Sequence, residues 1–156
     1  MENVQRLSLL NTVAVVEFSY KTTIKPSQRP QLKTSQDCYE LLKLTWDENK
    51  IEFVEQFKVI LLNKAQRVLR IYEMSSGGVS GTVADPRLIF IAALKTNAVN
   101  VVLAHNHPLG NLRPSKSDEE LTHKIKQGGI LLEIKVIDHI IISSEGYFSF
   151  ADEGYI

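Results

Sequence analysis

Two histidines and an aspartate stand at spacings that suit a metal ion. His105 and His107 end an apolar run, and Asp118 follows beyond a loop rich in proline, glycine and asparagine. If the run is extended, side chains alternate between its faces, so both imidazoles project to one side and Asn106 to the other. Catalytic zinc commonly takes three protein ligands, drawn from imidazole and carboxylate groups, and keeps one position for water. These residues therefore predict a zinc site with His105, His107 and Asp118 as ligands.

Each half of this pattern also has a simpler interpretation. A His-x-His pair is common in polar surface loops. Ser115-x-x-Asp118 is also a helix start, with the serine as N-cap and an acid in the first turn, where the helix dipole favours negative charge. Taken alone, either half favours the simpler interpretation. The conjunction of apolar strand, His-x-His, loop and Ser-x-x-Asp within residues 101–118 favours the metal.

The same residues resemble a known motif. His105-x-His107, seven intervening residues and Ser115-x-x-Asp118 are similar to the metal-binding motif of the JAMM (JAB/MPN) metalloprotease-like superfamily, and HNHPLGNLRPS resembles the RadC family within it. The resemblance extends over residues 35–156. Leu109 is a departure, because the family commonly has serine there. Further matching segments are Ser76-Gly77-Gly78, Asp85-Pro86-Arg87, Ala104, Asp138-His139 and Ser149-Phe150.

The resemblance implies a zinc-dependent hydrolase that cleaves an amide, peptide or isopeptide bond in a protein or peptide substrate. It implies Zn²⁺ as the cofactor and Glu55 as the general base that acts on the water. Glu52 is the nearby competitor for that role. Ser115 is expected to help stabilise the developing oxyanion with its hydroxyl.

An alternative, also implied by the resemblance, is a DNA-repair-associated accessory or nucleic-acid-acting module without peptidase activity. Longer RadC members add an N-terminal helix-hairpin-helix-type region that we do not expect in this sequence. The 18 basic and 18 acidic residues cancel, which disfavours a general electrostatic attraction to phosphates. Nucleic-acid contact would have to use the basic connector, residues 21–33, which contains Lys21, Lys25, Arg29 and Lys33 but no acid.

Other metal-dependent classes do not fit. His105-Asn106-His107 is not an HNH nuclease site, because the residues that name that motif are dispersed over a larger ββα unit. A zinc deaminase needs a P-C-x-x-C element, whereas Cys38 is the only cysteine in the sequence. That count also excludes an intramolecular disulfide. His139 is a further candidate ligand, but a structural hydrogen-bonding role is favoured because three ligands already leave the open position that catalysis needs.

The resemblance implies an α/β fold with a mixed, partly antiparallel sheet packed with helices, a layered architecture like that of JAB/MPN domains and cytidine deaminases. We expect residues 1–34 to form an N-terminal strand and the basic connector, and residues 35–156 the RadC-like domain. No segment suits a signal peptide or membrane span, so a cytoplasmic protein without membrane partners is expected. The predicted strands are 12–20, 51–62, 67–74, 99–105, 130–143 and 147–150. The predicted helices are 36–45, with Ser35 as cap, 85–97, and a third that starts at Ser115 or Ser117, runs to Gln127 and is ended by Gly128-Gly129.

Overall fold

The structure is a computed structural model that describes residues 19–77 and 84–156. It contains a short 3₁₀ turn at Pro26–Gln28 and three α-helices, which are α1 (Ser35–Thr45), α2 (Pro86–Thr96) and α3 (Lys116–Leu131). The five strands are β1 (Gln56–Leu62), β2 (Val68–Ser76), β3 (Asn100–Asn106), β4 (Lys135–Ile142) and β5 (Tyr147–Ser149).

The strands form one mixed sheet in the order β2-β1-β3-β4-β5. β1 pairs antiparallel with both β2 and β3, and β4 pairs antiparallel with β5. β3 and β4 are parallel and are joined through α3. The prediction of a mixed, partly antiparallel sheet is therefore confirmed.

Helices cover both faces of the sheet. On one face Leu42 of α1 packs with Val102 and Ala104 of β3, and on the other Ile89 of α2 and Ile125 of α3 pack in the cluster that contains Leu103. Alternate residues of β3 thus enter different cores, as the period of two requires. Because the central strands are covered on both sides, most of their residues are apolar and buried. The result is the layered α/β architecture expected from the sequence.

Side chains cap the helices at their starts. Asp85 is the N-cap of α2, and its carboxylate accepts a hydrogen bond from the amide of Arg87. Pro86 follows at the first helical position, which suits proline. Thr34, not the predicted Ser35, caps α1, since its hydroxyl oxygen accepts from the amide of Asp37. Thr34 holds the extended conformation that an N-cap requires, which leaves Ser35 as the first helical residue.

The strand predicted over residues 51–62 is wrong in its first part, because β1 begins only at Gln56. The preceding residues form turns in which the amide of Ile51 donates to the carbonyl of Asp47 and that of Val54 to the carbonyl of Lys50. Glu55 therefore lies immediately before β1 rather than within a strand.

The helix end predicted at Gly128-Gly129 is also wrong, because α3 continues to Leu131. A Cβ atom at Gly129 would overlap the carbonyl oxygen of Ile134, so this glycine permits a close approach of the chain and does not end the helix. The strand predicted from residue 130 consequently begins at Lys135.

The predicted N-terminal strand, 12–20, lies outside the described residues except for its last two positions. The basic connector ends against the β1–β2 hairpin, where Gln31 bridges to Arg67 and the amide of Leu32 donates to the carbonyl of Gln66. Within residues 19–77 and 84–156, none of the helices combines the length and the apolar character needed to cross a membrane.

Candidate metal centre

His105 is held in the middle of the sheet. It is the next-to-last residue of β3 and pairs with Phe57 of β1 on one side and Ile141 of β4 on the other. Its ring stacks on that of Phe57, and the residue is 1% exposed. With its backbone fixed from both sides, the imidazole has little freedom to leave its position.

His107 follows directly after β3 on the same face. Its amide donates to the carbonyl of Ile142, which extends the β3–β4 ladder by one hydrogen bond of 3.0 Å. Its Nδ1 lies 2.5 Å from the carbonyl oxygen of Asn111. A carbonyl can only accept, so Nδ1 carries the proton and Nε2 offers its lone pair to the site.

Asp118 serves both as part of a helix cap and as a member of the site. It stands in the first turn of α3, where its Oδ2 accepts hydrogen bonds from the amide and the hydroxyl of Ser115, each 2.7 Å long. Its other oxygen, Oδ1, lies 3.3 Å from Nε2 of His105. The capping and ligand interpretations of Ser115-x-x-Asp118 are therefore compatible, because they rest on different oxygens.

The three groups converge at distances that fit a tetrahedral ion. Nε2 of His105 lies 3.0 Å from Nε2 of His107 and 3.3 Å from Oδ1 of Asp118. Zinc bonds of about 2.0–2.1 Å in a tetrahedron separate neighbouring ligand atoms by about 3.3–3.4 Å. Both distances lie near that value, so the His-His-Asp group is one that could bind a metal ion.

The charges of this cluster reinforce one another. Burial opposes the ionisation of Asp118, but the neighbouring imidazoles of His105 and His107 outweigh it and hold the pKa of the carboxyl well below its usual value. The adjacent carboxylate of Asp118 raises the pKa of His107, and the negative charge of Glu55 adds to that effect. Asp118 is therefore ionised at neutral pH, as a metal ligand needs to be.

Glu55 reaches the site from a different part of the chain. It is half-buried, and its negative charge contributes to the raised pKa of His107. Glu52 is exposed in the turn before it. The separation of the two glutamates comes from this turn, not from the strand alternation expected from the sequence.

Asn106, which lies between the two histidines, fixes the backbone on both sides of Glu55. On the opposite face of β3, its Nδ2 donates to the carbonyls of Ile51 and Val54, at 2.7 and 2.9 Å. Its Oδ1 accepts from the amide of Gln56, at 2.7 Å. Sequence reasoning placed this side chain on the correct face but missed its function; the available signal was a polar residue facing a buried layer.

His139 and Thr122 lie behind the cluster. Nε2 of His139 is 2.8 Å from Nδ1 of His105, and Nδ1 of His139 is 2.6 Å from Oγ1 of Thr122. Burial lowers the pKa of His139 well below its ordinary value. His139 thus contacts a predicted ligand from the side away from the metal position, in line with the structural role favoured for it. Thr122 was missed, although it stands one helical turn after Asp118.

The comparisons with known proteins agree with the resemblance seen in the sequence. The family model described as a RadC-like JAB domain matches residues 32–155. The chain belongs to this family. Its relatives include proteins named UPF0758 protein, 44% identical over 100 residues in Flavobacterium johnsoniae and 38% identical over 143 residues in Histophilus somni. The first alignment covers 64% of this chain and 44% of the relative, the second 92% and 64%.

The chain thus spans less than two thirds of the length of these RadC-like relatives, and their names state no activity. The match nevertheless includes every residue of the site. In this RadC-like domain the unusual Leu109 lies two positions after His107 and is 94% exposed. The departure from the family pattern therefore changes the outer surface beside the site and leaves the ligands unaltered.

Proposed function

We propose that this RadC-like JAB domain is a zinc-dependent hydrolase that cleaves an amide, peptide or isopeptide bond. The observation that supports this most directly is the convergence of His105, His107 and Asp118 at tetrahedral spacing. Two imidazoles and one carboxylate form a donor set typical of catalytic zinc, with one position left for water or substrate. Bound there, zinc supplies Lewis acidity, which polarises a carbonyl oxygen and makes a water molecule more acidic.

Glu55 is the group that we propose moves the proton. Its carboxylate accepts a proton from the attacking water and returns it to the nitrogen of the departing amine, so that the carbon–nitrogen bond breaks without leaving an amide anion. The backbone contacts of Asn106 keep Glu55 at the site while it does so. A base placed in this way need not be a metal ligand.

Ser115 has two assignments. The hydroxyl donates to Asp118, so its structural contribution is to orient a ligand. The oxyanion-stabilising role predicted from the resemblance would require that hydrogen bond to be exchanged for one to the substrate during the reaction. Ser115→Ala tests the two together, because loss of metal reports the first and loss of turnover in the metal-loaded protein reports the second.

The experiment that tests the proposal compares substrates. Zinc-loaded protein is incubated with a library of peptides and isopeptides and, in parallel, with single-stranded and double-stranded DNA. We expect cleavage in the peptide or isopeptide arm and none in the DNA arms. Cleavage of DNA alone would overturn the proposal in favour of a nucleic-acid-acting module.

Variants then assign the residues. Asp118→Ala should lose zinc, measured as metal per chain after dialysis. Glu55→Gln should keep zinc and lose about 10²–10⁴-fold in turnover, the usual contribution of a positioned acid–base group. Glu52→Gln is the matched control and should leave zinc binding and turnover nearly unchanged, since the side chain of Glu52 is exposed in the turn. If Glu55→Gln keeps full activity, the role given to Glu55 is wrong.

A further inference from the structure

The two histidines of the site differ in what their second ring nitrogen contacts. Nδ1 of His107 faces a carbonyl oxygen, which fixes the proton on that nitrogen. Nδ1 of His105 faces another imidazole, that of His139, at 2.8 Å. An imidazole nitrogen donates in one tautomer and accepts in the other. The contact with His139 therefore leaves open which nitrogen of His105 carries its proton.

Thr122 removes this ambiguity. Its Oγ1 lies 2.6 Å from the carbonyl oxygen of Asp118 and 2.6 Å from Nδ1 of His139. A hydroxyl has one proton, and the carbonyl can only accept it. With that proton directed at Asp118, the oxygen of Thr122 accepts from Nδ1–H of His139. Nε2 of His139 is then without a proton in the neutral ring and accepts from Nδ1–H of His105.

The consequence reaches the metal position. When Nδ1 of His105 carries the proton, its Nε2 presents a lone pair towards His107 and Asp118. The opposite tautomer would place a proton on the nitrogen that has to bind the ion. The hydroxyl of Thr122 thus connects the backbone of one proposed ligand residue, Asp118, through the ring of His139 to the ring of another, His105.

Packing holds this arrangement in place. His139 is 0% exposed and Thr122 is 3% exposed, so bulk water is not positioned to replace either partner. The ring of His139 stacks on the ring of Phe150 with centroids 4.7 Å apart. It also makes a T-shaped contact with the ring of Phe57, with centroids 5.8 Å apart. These contacts oppose rotation of the ring, so its nitrogens keep their partners.

We propose that Thr122 and His139 are positioning residues that set the tautomer of His105 and so prepare its Nε2 for the metal. The inference rests on the proposed function only in taking His105 as a ligand. Partners of this kind are typically worth about 10–100-fold in metal affinity.

A pair of variants tests the proposal through zinc affinity. Thr122→Val removes the hydroxyl and keeps the branched shape, whereas Thr122→Ser keeps the hydroxyl. Competition of the metal-free proteins with a chromophoric chelator for Zn²⁺ should show about 10–100-fold weaker binding for Thr122→Val. Thr122→Ser should stay within about 3-fold of the unaltered protein, a rescue that a purely space-filling role would not give. Equal affinities for the two variants would overturn the proposal.

A second measurement needs no variant and no metal. Two-bond ¹H–¹⁵N correlation spectra of the metal-free protein distinguish the histidine tautomers by their ring nitrogens. We expect the proton on Nδ1 in both His105 and His139, and a proton on Nε2 of His139 would refute the inference. If the unaltered protein bound no zinc, the proposed function would fail, while these spectra would still decide the tautomers.

Discussion

Replacing Asn106 by alanine should destabilise the fold out of proportion to the size of the side chain. Asn106 is 0% exposed and makes three hydrogen bonds, to the carbonyls of Ile51 and Val54 and from the amide of Gln56. At a net contribution of about 0.5–1.5 kcal/mol each, these bonds total about 1.5–4.5 kcal/mol, and burial favours the upper half. We expect Asn106→Ala to lower the free energy of unfolding by about 3–4 kcal/mol, a large fraction of the 5–15 kcal/mol typical of a domain.

Urea unfolding followed by fluorescence measures this loss. Trp46, the single tryptophan, is 5% exposed and reports unfolding directly. A chelator in the buffer removes any contribution from metal binding. The control is Asn111→Ala, the same change in the exposed loop beside the site, where the side chain makes one hydrogen bond, from the amide of Arg113. The control should lower the free energy of unfolding by less than about 1 kcal/mol. Similar losses in both variants would refute the importance given to Asn106.

Three further predictions concern other parts of the chain. Gly129→Ala should lower the free energy of unfolding in urea by at least about 2 kcal/mol, because the added Cβ overlaps the carbonyl of Ile134. The exposed control Gln127→Ala should change it by no more than about 0.5 kcal/mol. Equal losses in the two variants would contradict the packing argument. Cys38 is buried, which raises the pKa of its thiol to about 12, so iodoacetamide at pH 8 should label it only after unfolding; labelling of the native protein at the rate of a free thiol would disprove this. Duplex DNA should bind no more tightly than about 10⁻⁴–10⁻⁶ M at physiological salt in a titration. Tight binding that survives charge reversal of the basic connector would contradict this, the positions being Lys21, Lys25, Arg29 and Lys33.

The sequence was most informative where the site depends on neighbouring residues. The shared face of His105 and His107 follows from strand alternation, and the position of Asp118 follows from the helix cap over residues 115–118. Both features are local, so they could be predicted without the tertiary structure. Glu55 could be assigned only through the resemblance, because nothing near it in the chain indicates what it faces.

The errors arose where distant contacts override local preference. Residues 51–54 are rich in strand-forming side chains. They form turns instead, and the side chain of Asn106, some fifty positions away, donates hydrogen bonds to the carbonyls of Ile51 and Val54. Gly128-Gly129 has the composition of a helix end, but the close approach of Ile134 explains Gly129. The contact between Thr122 and His139 joins a helix to a strand and could not be derived from either alone.

The order of the site residues along the chain has a consequence for folding. The three residues that could hold a metal ion come from one strand–loop–helix segment, residues 105–118, and closing so short a loop costs little chain entropy. Glu55 is held near them by the pairing of β1 with β3 and the contacts of Asn106, which span about fifty residues. Local opening of the turn before β1 would withdraw the glutamate while the ligand segment stays intact. If the proposed function holds, we expect metal binding and proton transfer to be acquired, and lost, in separate steps.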